Sequence, residues 1–266
     1  MVRALLVVLA LFAIGCSSTE TPPKEPPPSP QGCGHAHNDY EHERPLLGAL
    51  EAGFCSVEAD VWLVGGELLV AHELGETDPS RTLQSLYLDP LRAQQESGGL
   101  AYLEGKPLLL LIDIKSEASD TYAALHDVLT GYDDILTTYA GDEVTESAVT
   151  AVVSGERDRE AMEAQDRRYA AMDGRLEDLG TGAPVSLIPL ISQSWFMHFI
   201  WLGTGEIPGD EAKLLNDFVE QTHDEGRRIR FWNTPDQENA WKQLREAGVD
   251  LINTDDIAGF SAFVSE

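Results

Sequence analysis

From residue 32 onward the chain repeats one pattern, a short apolar run followed by a longer segment with helical spacing, and this pattern limits the fold more than any other feature. The apolar runs read as strands at Gly32 to His37, Ser56 to Trp62, Leu108 to Ile114, Val149 to Val153, Tyr169 to Met172, Val185 to Leu190, Arg228 to Phe231 and Leu251 to Asn253. A further short run, Glu67 to Ala71, reads as an extra hairpin strand. Helical patterns cover Pro45 to Ala52, Thr121 to Thr130, Arg157 to Asp166, Asp210 to Glu225 and Pro235 to Glu246, two of them ending just before Gly226 or Gly248. Strands alternating with helices in a segment of this length imply one α/β domain, a closed (β/α)8 TIM barrel. Chemistry in such a barrel sits at the C-terminal ends of the strands. His35, Glu58, Asp60, Asp113, Asp173, Trp232 and Asp255 all fall at or just past those ends.

Glu58 and Asp60 are two residues apart on one strand, so both side chains point to one face, while Val57, Ala59 and Val61 point to the other. Two carboxylates on one side of a buried strand resist ionising unless positive charge lies between them. The run LLLLIDI is broken once, by Asp113, and Lys115 follows on the same face. Three carboxylate ligands suit a hard divalent cation, Mg²⁺ or Ca²⁺, better than zinc. His35 and His72 would flank it as general acid and base, because imidazole titrates near neutral pH. The competing structural readings are a solvated face for the carboxylate pair, an exposed strand end for Lys115 and a surface histidine for His72. Asp173 and Arg175 in MDGRLED and Trp195 in SQSWF are weaker candidates. Trp232 and Asn233 in RFWNTPD stand where an aromatic can line a substrate slot.

The chain opens with MVRALLVVLALFAIGC, whose apolar core is too short to span a bilayer and fits an export signal. Ala13-Ile14-Gly15-Cys16 resembles a bacterial lipobox, which makes residues 1–16 a lipoprotein signal and Cys16 the lipidation site. On that reading the protein is exported and anchored by lipid in the bacterial cell envelope, with the outer membrane favoured. Residues 17–31 are rich in proline and read as a disordered tether, leaving 32–266 as the barrel domain. Cys33 and Cys55 are either a disulfide between the first two strands or two buried thiols. With 46 acidic and 18 basic residues the net charge is −28, so nucleic-acid binding is excluded as a function class, and no protein partner is implied. An anionic substrate would be repelled at long range and must be captured locally.

The set GHAHN, VEADVWL, His72, LIDIKSE, RFWNTPD and GVDLINTDD resembles the phospholipase C-like phosphodiesterase superfamily, which holds the glycerophosphodiester phosphodiesterases, the sphingomyelinase D-type enzymes and a poorly characterised bacterial and fungal group that this chain resembles most. The resemblance implies a metal-dependent phosphodiester hydrolase acting on glycerophosphodiesters or (lyso)phospholipid head groups. It implies His35 and His72 as the acid–base pair, Glu58, Asp60 and Asp113 as Mg²⁺ or Ca²⁺ ligands, and Asn38, Lys115 and Trp232 as substrate contacts. The His-Arg-Gly start of typical glycerophosphodiesterases is replaced by His35-Ala36-His37-Asn38, which leaves His37 as a second reading of the first histidine. Two other classes compete: a non-catalytic, surface-tethered binding protein, and a zinc-dependent amidohydrolase-like enzyme built on the His35-x-His37 pair.

Overall fold

A computed structural model of the chain describes residues 32–98, 107–141 and 143–265. The strands are β1 (Cys33–Ala36), β2 (Ser56–Val64), β3 (Glu67–Val70), β4 (Leu108–Ile114), β5 (Thr138–Ala140), β6 (Glu143–Thr145), β7 (Val149–Gly155), β8 (Arg167–Arg168), β9 (Ala171–Gly174), β10 (Leu190–Ser194), β11 (Arg228–Trp232) and β12 (Leu251–Thr254). The α-helices are α1 (Leu47–Glu51), α2 (Asp89–Glu96), α3 (Ala118–Thr130), α4 (Arg159–Ala164), α5 (Gly209–Asp224), α6 (Glu238–Glu246) and α7 (Ile257–Val264).

Eight of these strands pair in parallel in the order β1-β12-β11-β10-β9-β7-β4-β2, and β1 pairs back to β2. The sheet therefore closes, giving the expected (β/α)8 barrel. Strand β3 runs antiparallel to the upper half of β2 and extends one wall beyond the barrel rim. Strands β5, β6 and β8 make a small separate antiparallel sheet.

Alternation along the strands sorts side chains into two apolar clusters. Leu108, Leu110, Ile112, Val149, Ala151, Val153, Ile229, Phe231 and Ile252 lie in the large cluster between barrel and helices. Leu109, Leu111, Val152, Ala171, Leu190 and Leu251 lie in a second, smaller cluster inside the barrel. Runs such as LLLLIDI are apolar on both faces because both faces are covered. Helices α3, α4 and α7 each start at a carboxylate, Glu117, Asp158 or Asp256, that accepts backbone N–H bonds from the first turn. Gly226 and Gly248 follow α5 and α6 with positive φ, the conformation that ends a helix at least cost.

The sixth barrel strand is a correction. The run VSLIPL pointed to Val185 to Leu190, but the strand is Leu190–Ser194. Pro189 has no N–H to give a central strand, so the ladder starts after it. Helices α2 and α7 and the small sheet were not anticipated. Cys33 and Cys55 form a disulfide below the site, with Cα atoms 6.1 Å apart. The signal and tether expected in residues 1–31 lie outside the described residues.

Candidate active site

Strands β2 and β4 run side by side with Asp60 opposite Asp113 in register. Glu58, Asp60 and Asp113 each offer a carboxylate oxygen, and these three oxygens lie within 4.8 Å of one another. Their surroundings differ. Glu58 is buried between Arg230, whose Nη2 donates to Oε2 at 2.9 Å, and His35, whose Nε2 lies 2.9 Å from the same oxygen. Burial opposes its ionisation, yet Arg230 and His35 hold its pKa well below the usual carboxylate range. Asp60 is wholly buried; its Oδ2 accepts from Tyr40 at 2.9 Å, lies 3.0 Å from Lys115 Nζ and 3.2 Å from His72 Nδ1. Its other oxygen, Oδ1, has no partner among the described residues. Asp113 Oδ1 lies 3.3 Å from the same Lys115. Gly155, at φ +69°, stands beside Asp113, where a Cβ would clash with Oδ1.

This cluster is short of positive charge. Burial, and then the charge of Glu58, push Asp113 up to about 6 and raise Asp60 as well, although Lys115 works against both. Against its own burial, Lys115 is raised by Asp113 and Asp60. Two neighbouring carboxylates with raised pKa values, one of them with an orphan buried oxygen, form the donor set a hard divalent cation relieves. Glu58, Asp60 and Asp113 therefore fit such an ion.

His35 and His37 both project to the interior side of β1 but differ in setting. His35 is wholly buried; its Nδ1 lies 2.7 Å from Ser56 Oγ, so both ring nitrogens are engaged, and burial followed by the nearby Arg230 lowers its pKa to about 4. His37 is part exposed, with Nδ1 2.8 Å from Asp255 Oδ1; burial lowers its pKa, but the bond to Asp255 and the charges of Glu58 and Asp255 together outweigh this and leave it raised. The two rings thus turn to different carboxylates, His35 to Glu58 and His37 to Asp255. His72 stands half exposed at the end of the β2–β3 hairpin. Asn38 takes a left-handed conformation (φ 47°) just past β1, and its Oδ1 accepts from Tyr40 at 3.1 Å. Trp232, 40% exposed, is at the rim after β11. Trp195 is instead buried, stacked on Phe199 with ring centroids 4.0 Å apart.

Residues 29–99 match the AIM6-like phosphodiesterase domain, and residues 228–258 match the glycerophosphoryl diester phosphodiesterase family. Altered inheritance of mitochondria protein 6 of Eremothecium gossypii is 32% identical over 266 residues, covering 86% of this chain and 68% of the relative. The chain belongs to the AIM6-like phosphodiesterase family. The homologue of Arthroderma benhamiae is 30% identical over 260 residues, covering 84% of this chain and 81% of the relative. A glycerophosphodiester phosphodiesterase from Parabacteroides distasonis superposes with a TM-score of 0.54 at 14% identity, over 88% of this chain and 98% of that one. One from Agrobacterium tumefaciens does so with a TM-score of 0.50 at 15% identity, over 88% and 99%. These structures share the barrel fold.

The comparisons overturn one expectation. The matched AIM6 relatives are fungal proteins named for inheritance of mitochondria. Their origin stands against the expected lipoprotein of the bacterial outer membrane. Cys16, the expected lipidation site, lies outside the described residues.

Residues missed in the sequence include Arg230, which clamps Glu58 and donates to Asn253 Oδ1 at 2.9 Å, and Tyr40, which holds Asp60. Arg230 had a visible signal, a cation alternating with Ile229 and Phe231 inside a strand. A cavity of about 500 Å³ lies away from the mouth, between α4 and the segment from Thr181 to Leu187. Arg159 and Glu163 on its wall pair with each other at 2.7 Å, and it touches none of the groups above.

Proposed function

We propose that this AIM6-family protein is a metal-dependent phosphodiester hydrolase whose substrates are glycerophosphodiesters or the head groups of (lyso)phospholipids. The observation that carries the reading is the convergence of Glu58, Asp60 and Asp113 beside Lys115 and His72 at the barrel mouth, with one carboxylate oxygen unpartnered. Glu58, Asp60 and Asp113 would hold Mg²⁺ or Ca²⁺, which when bound supplies charge stabilisation for phosphoryl oxygens.

Lys115 offsets the negative charge that grows on phosphorus-bound oxygens as the nucleophile adds. Of His35 and His72, one accepts the proton of the attacking hydroxyl and the other gives a proton to the leaving alcohol oxygen as its bond to phosphorus breaks. The attacking group is water, leaving a phosphomonoester, or a neighbouring substrate hydroxyl, leaving a cyclic phosphate. Asn38 and Trp232 line the approach. Arg230 and Ser56 keep Glu58 and His35 in place.

A second assignment of the first histidine is favoured by one observation: His35 is enclosed with both nitrogens engaged, whereas His37 is part exposed and, among the described residues, uses only Nδ1. Hydrolysis of bis(p-nitrophenyl) phosphate, measured with Mg²⁺ or Ca²⁺ and with chelator, tests the function. Parallel His35→Ala, His37→Ala and His72→Ala variants assign the roles. Turnover that needs the cation and disappears in His72→Ala and in one of the other two supports the reading. Turnover that persists in chelator and in every variant, or that is absent with this ester and with natural diesters under all cations, refutes it.

A further inference from the structure

Next to Asp113 around the barrel, β7 and β9 end in a second charged group that the chemistry above leaves unused. Ser154 stands opposite Asp113 in register. Its Oγ donates to Asp173 Oδ2 at 2.8 Å, and Asp173 is wholly buried on the interior side of β9. Arg175, two residues on, folds back so that Nη1 donates to Asp173 Oδ2 at 2.8 Å and to the Gly174 carbonyl at 2.8 Å. From the other strand, Arg157 Nη1 donates to the main-chain carbonyl of Asp173. Two guanidinium groups therefore meet at one buried residue, Arg175 on the Asp173 carboxylate and Arg157 on its main-chain carbonyl. Arg157 feels its neighbour: burial and then the charge of Arg175 lower its pKa, against the pull of Asp173, Asp178 and Asp113.

Two like charges side by side are unusual in a chain with 46 acidic and 18 basic residues, where most arginines can find a carboxylate of their own. Among the described residues Arg175 pairs with Asp173, one of whose oxygens stays unpartnered, and Arg157 bonds only to a carbonyl, so N–H donors on both guanidinium groups are left for a ligand. A planar guanidinium with free donors matches a phosphate or carboxylate in a paired, two-point contact. Lys115 and the carboxylates around it are the site already assigned to the scissile diester, one strand away.

We propose that Arg157 and Arg175, positioned by Asp173 and Ser154, form a second anion subsite that takes a negatively charged group on the substrate's head group, a carboxylate or a phosphomonoester, separate from the phosphodiester being cleaved. This rests on the phosphodiesterase reading for its meaning, though not for its binding test. Such a pair also answers the electrostatic problem of the fold. A net charge of −28 repels an anion at long range, and short-range donors must hold it once it arrives.

Two measurements test the subsite. The first is binding of inorganic phosphate to the purified protein in chelator, where no cation can capture it, followed by calorimetry. The second is kcat/KM for glycerophosphoserine against glycerophosphoethanolamine, which differ by one carboxylate. Arg157→Gln is the cleaner variant, because among the described residues Arg157 bonds only to a main-chain carbonyl. Arg175→Lys retains a charge over Asp173 while losing the fork, and guards against a variant that fails to fold. Each is expected to weaken phosphate binding about tenfold or more. Each should lower the preference for glycerophosphoserine by a similar factor, with turnover of bis(p-nitrophenyl) phosphate kept within about threefold. Unchanged phosphate binding in both variants overturns the subsite. Equal loss on all three esters also overturns it, since the arginines would then serve the scissile phosphate. Phosphate binding that depends on both arginines, in a protein that cleaves no diester, leaves the subsite standing and refutes the phosphodiesterase reading.

Discussion

The lower and upper halves of the barrel interior are built from the same strands and have opposite chemistry. Below, Leu109, Leu111, Val152, Ala171, Leu190 and Leu251 pack together with Tyr139 and the cysteine pair. Above, the same faces carry Glu58, Asp60, Asp113, Ser154, Asp173, Arg230 and Asn253, most of them buried. Strand β4 changes over within one face, from Leu109 and Leu111 to Asp113, and β9 and its extension run from Ala171 to Asp173 and Arg175. The lower half gains from burying apolar area, at roughly 25 cal/mol per Å². The upper half removes charges from water and recovers only part of that cost through pairing. Stability and chemistry are thus separated along the barrel axis, and substitutions in the two halves should fail in different ways.

The largest expected effects are on turnover in the upper half. Asp60→Asn should lower kcat for a phosphodiester by about a thousandfold or more, because it removes a candidate cation ligand and the charge facing Lys115. Its thermal midpoint without cation should hold or rise, since a carboxylate that resists ionising has been neutralised. Glu58→Gln should lose activity comparably but also stability, by about 3–5 kcal/mol, because Arg230 is left buried without its counter-charge. Steady-state kinetics with urea unfolding of each variant would distinguish the two carboxylates. Equal stability losses would break the contrast between them. Next in size, Leu111→Ala should cost about 2–5 kcal/mol of unfolding free energy while the folded fraction keeps its kcat. A fall in kcat at full folding would mean that the lower half sets the geometry of the upper.

The lower half was legible in the sequence and the upper half only in part. Seven of the eight barrel strands and five of the helices can be read from apolar periodicity, because burial on both faces leaves unbroken runs such as LLLLIDI. The sixth strand was displaced because Val185 to Pro189 is as apolar as a strand while Pro189 bars a ladder. Small elements such as β5, β6 and β8 have too few residues to show a period. In the site, Glu58, Asp60, Asp113 and Lys115 were legible because a charge interrupting a buried strand needs a partner, and they do converge. The partnership of Arg230 with Glu58 was not, since it joins residues 172 apart in sequence. Nor could the sequence separate the settings of His35 and His37, which follow from how far each lies along the barrel axis.

Two smaller effects sharpen the contrast through pH. Asp113 in the folded protein titrates near about 6, above its unfolded value of roughly 4, so its ionised form is disfavoured by folding. The metal-free parent should therefore lose stability from this group as pH rises from about 4 through 6. Asp113→Asn, which cannot ionise, should then exceed the parent by about 2 kcal/mol at pH 8 in chelator, with the difference vanishing near pH 4. Saturating Mg²⁺ or Ca²⁺ should reverse the order by stabilising the parent alone. His37 gives the smallest and opposite trend. Its pKa is raised by Asp255, so the pair's contribution is fully present below the unfolded histidine value near 6.5 and is lost as pH rises through the folded value. Being part exposed, the pair should be worth no more than about 1 kcal/mol, visible as a slightly lower melting temperature of His37→Gln at pH 5 that merges with the parent at pH 9. A gap that instead widens toward pH 9 would mean that His37 supports the fold as a neutral ring, independently of its bond to Asp255.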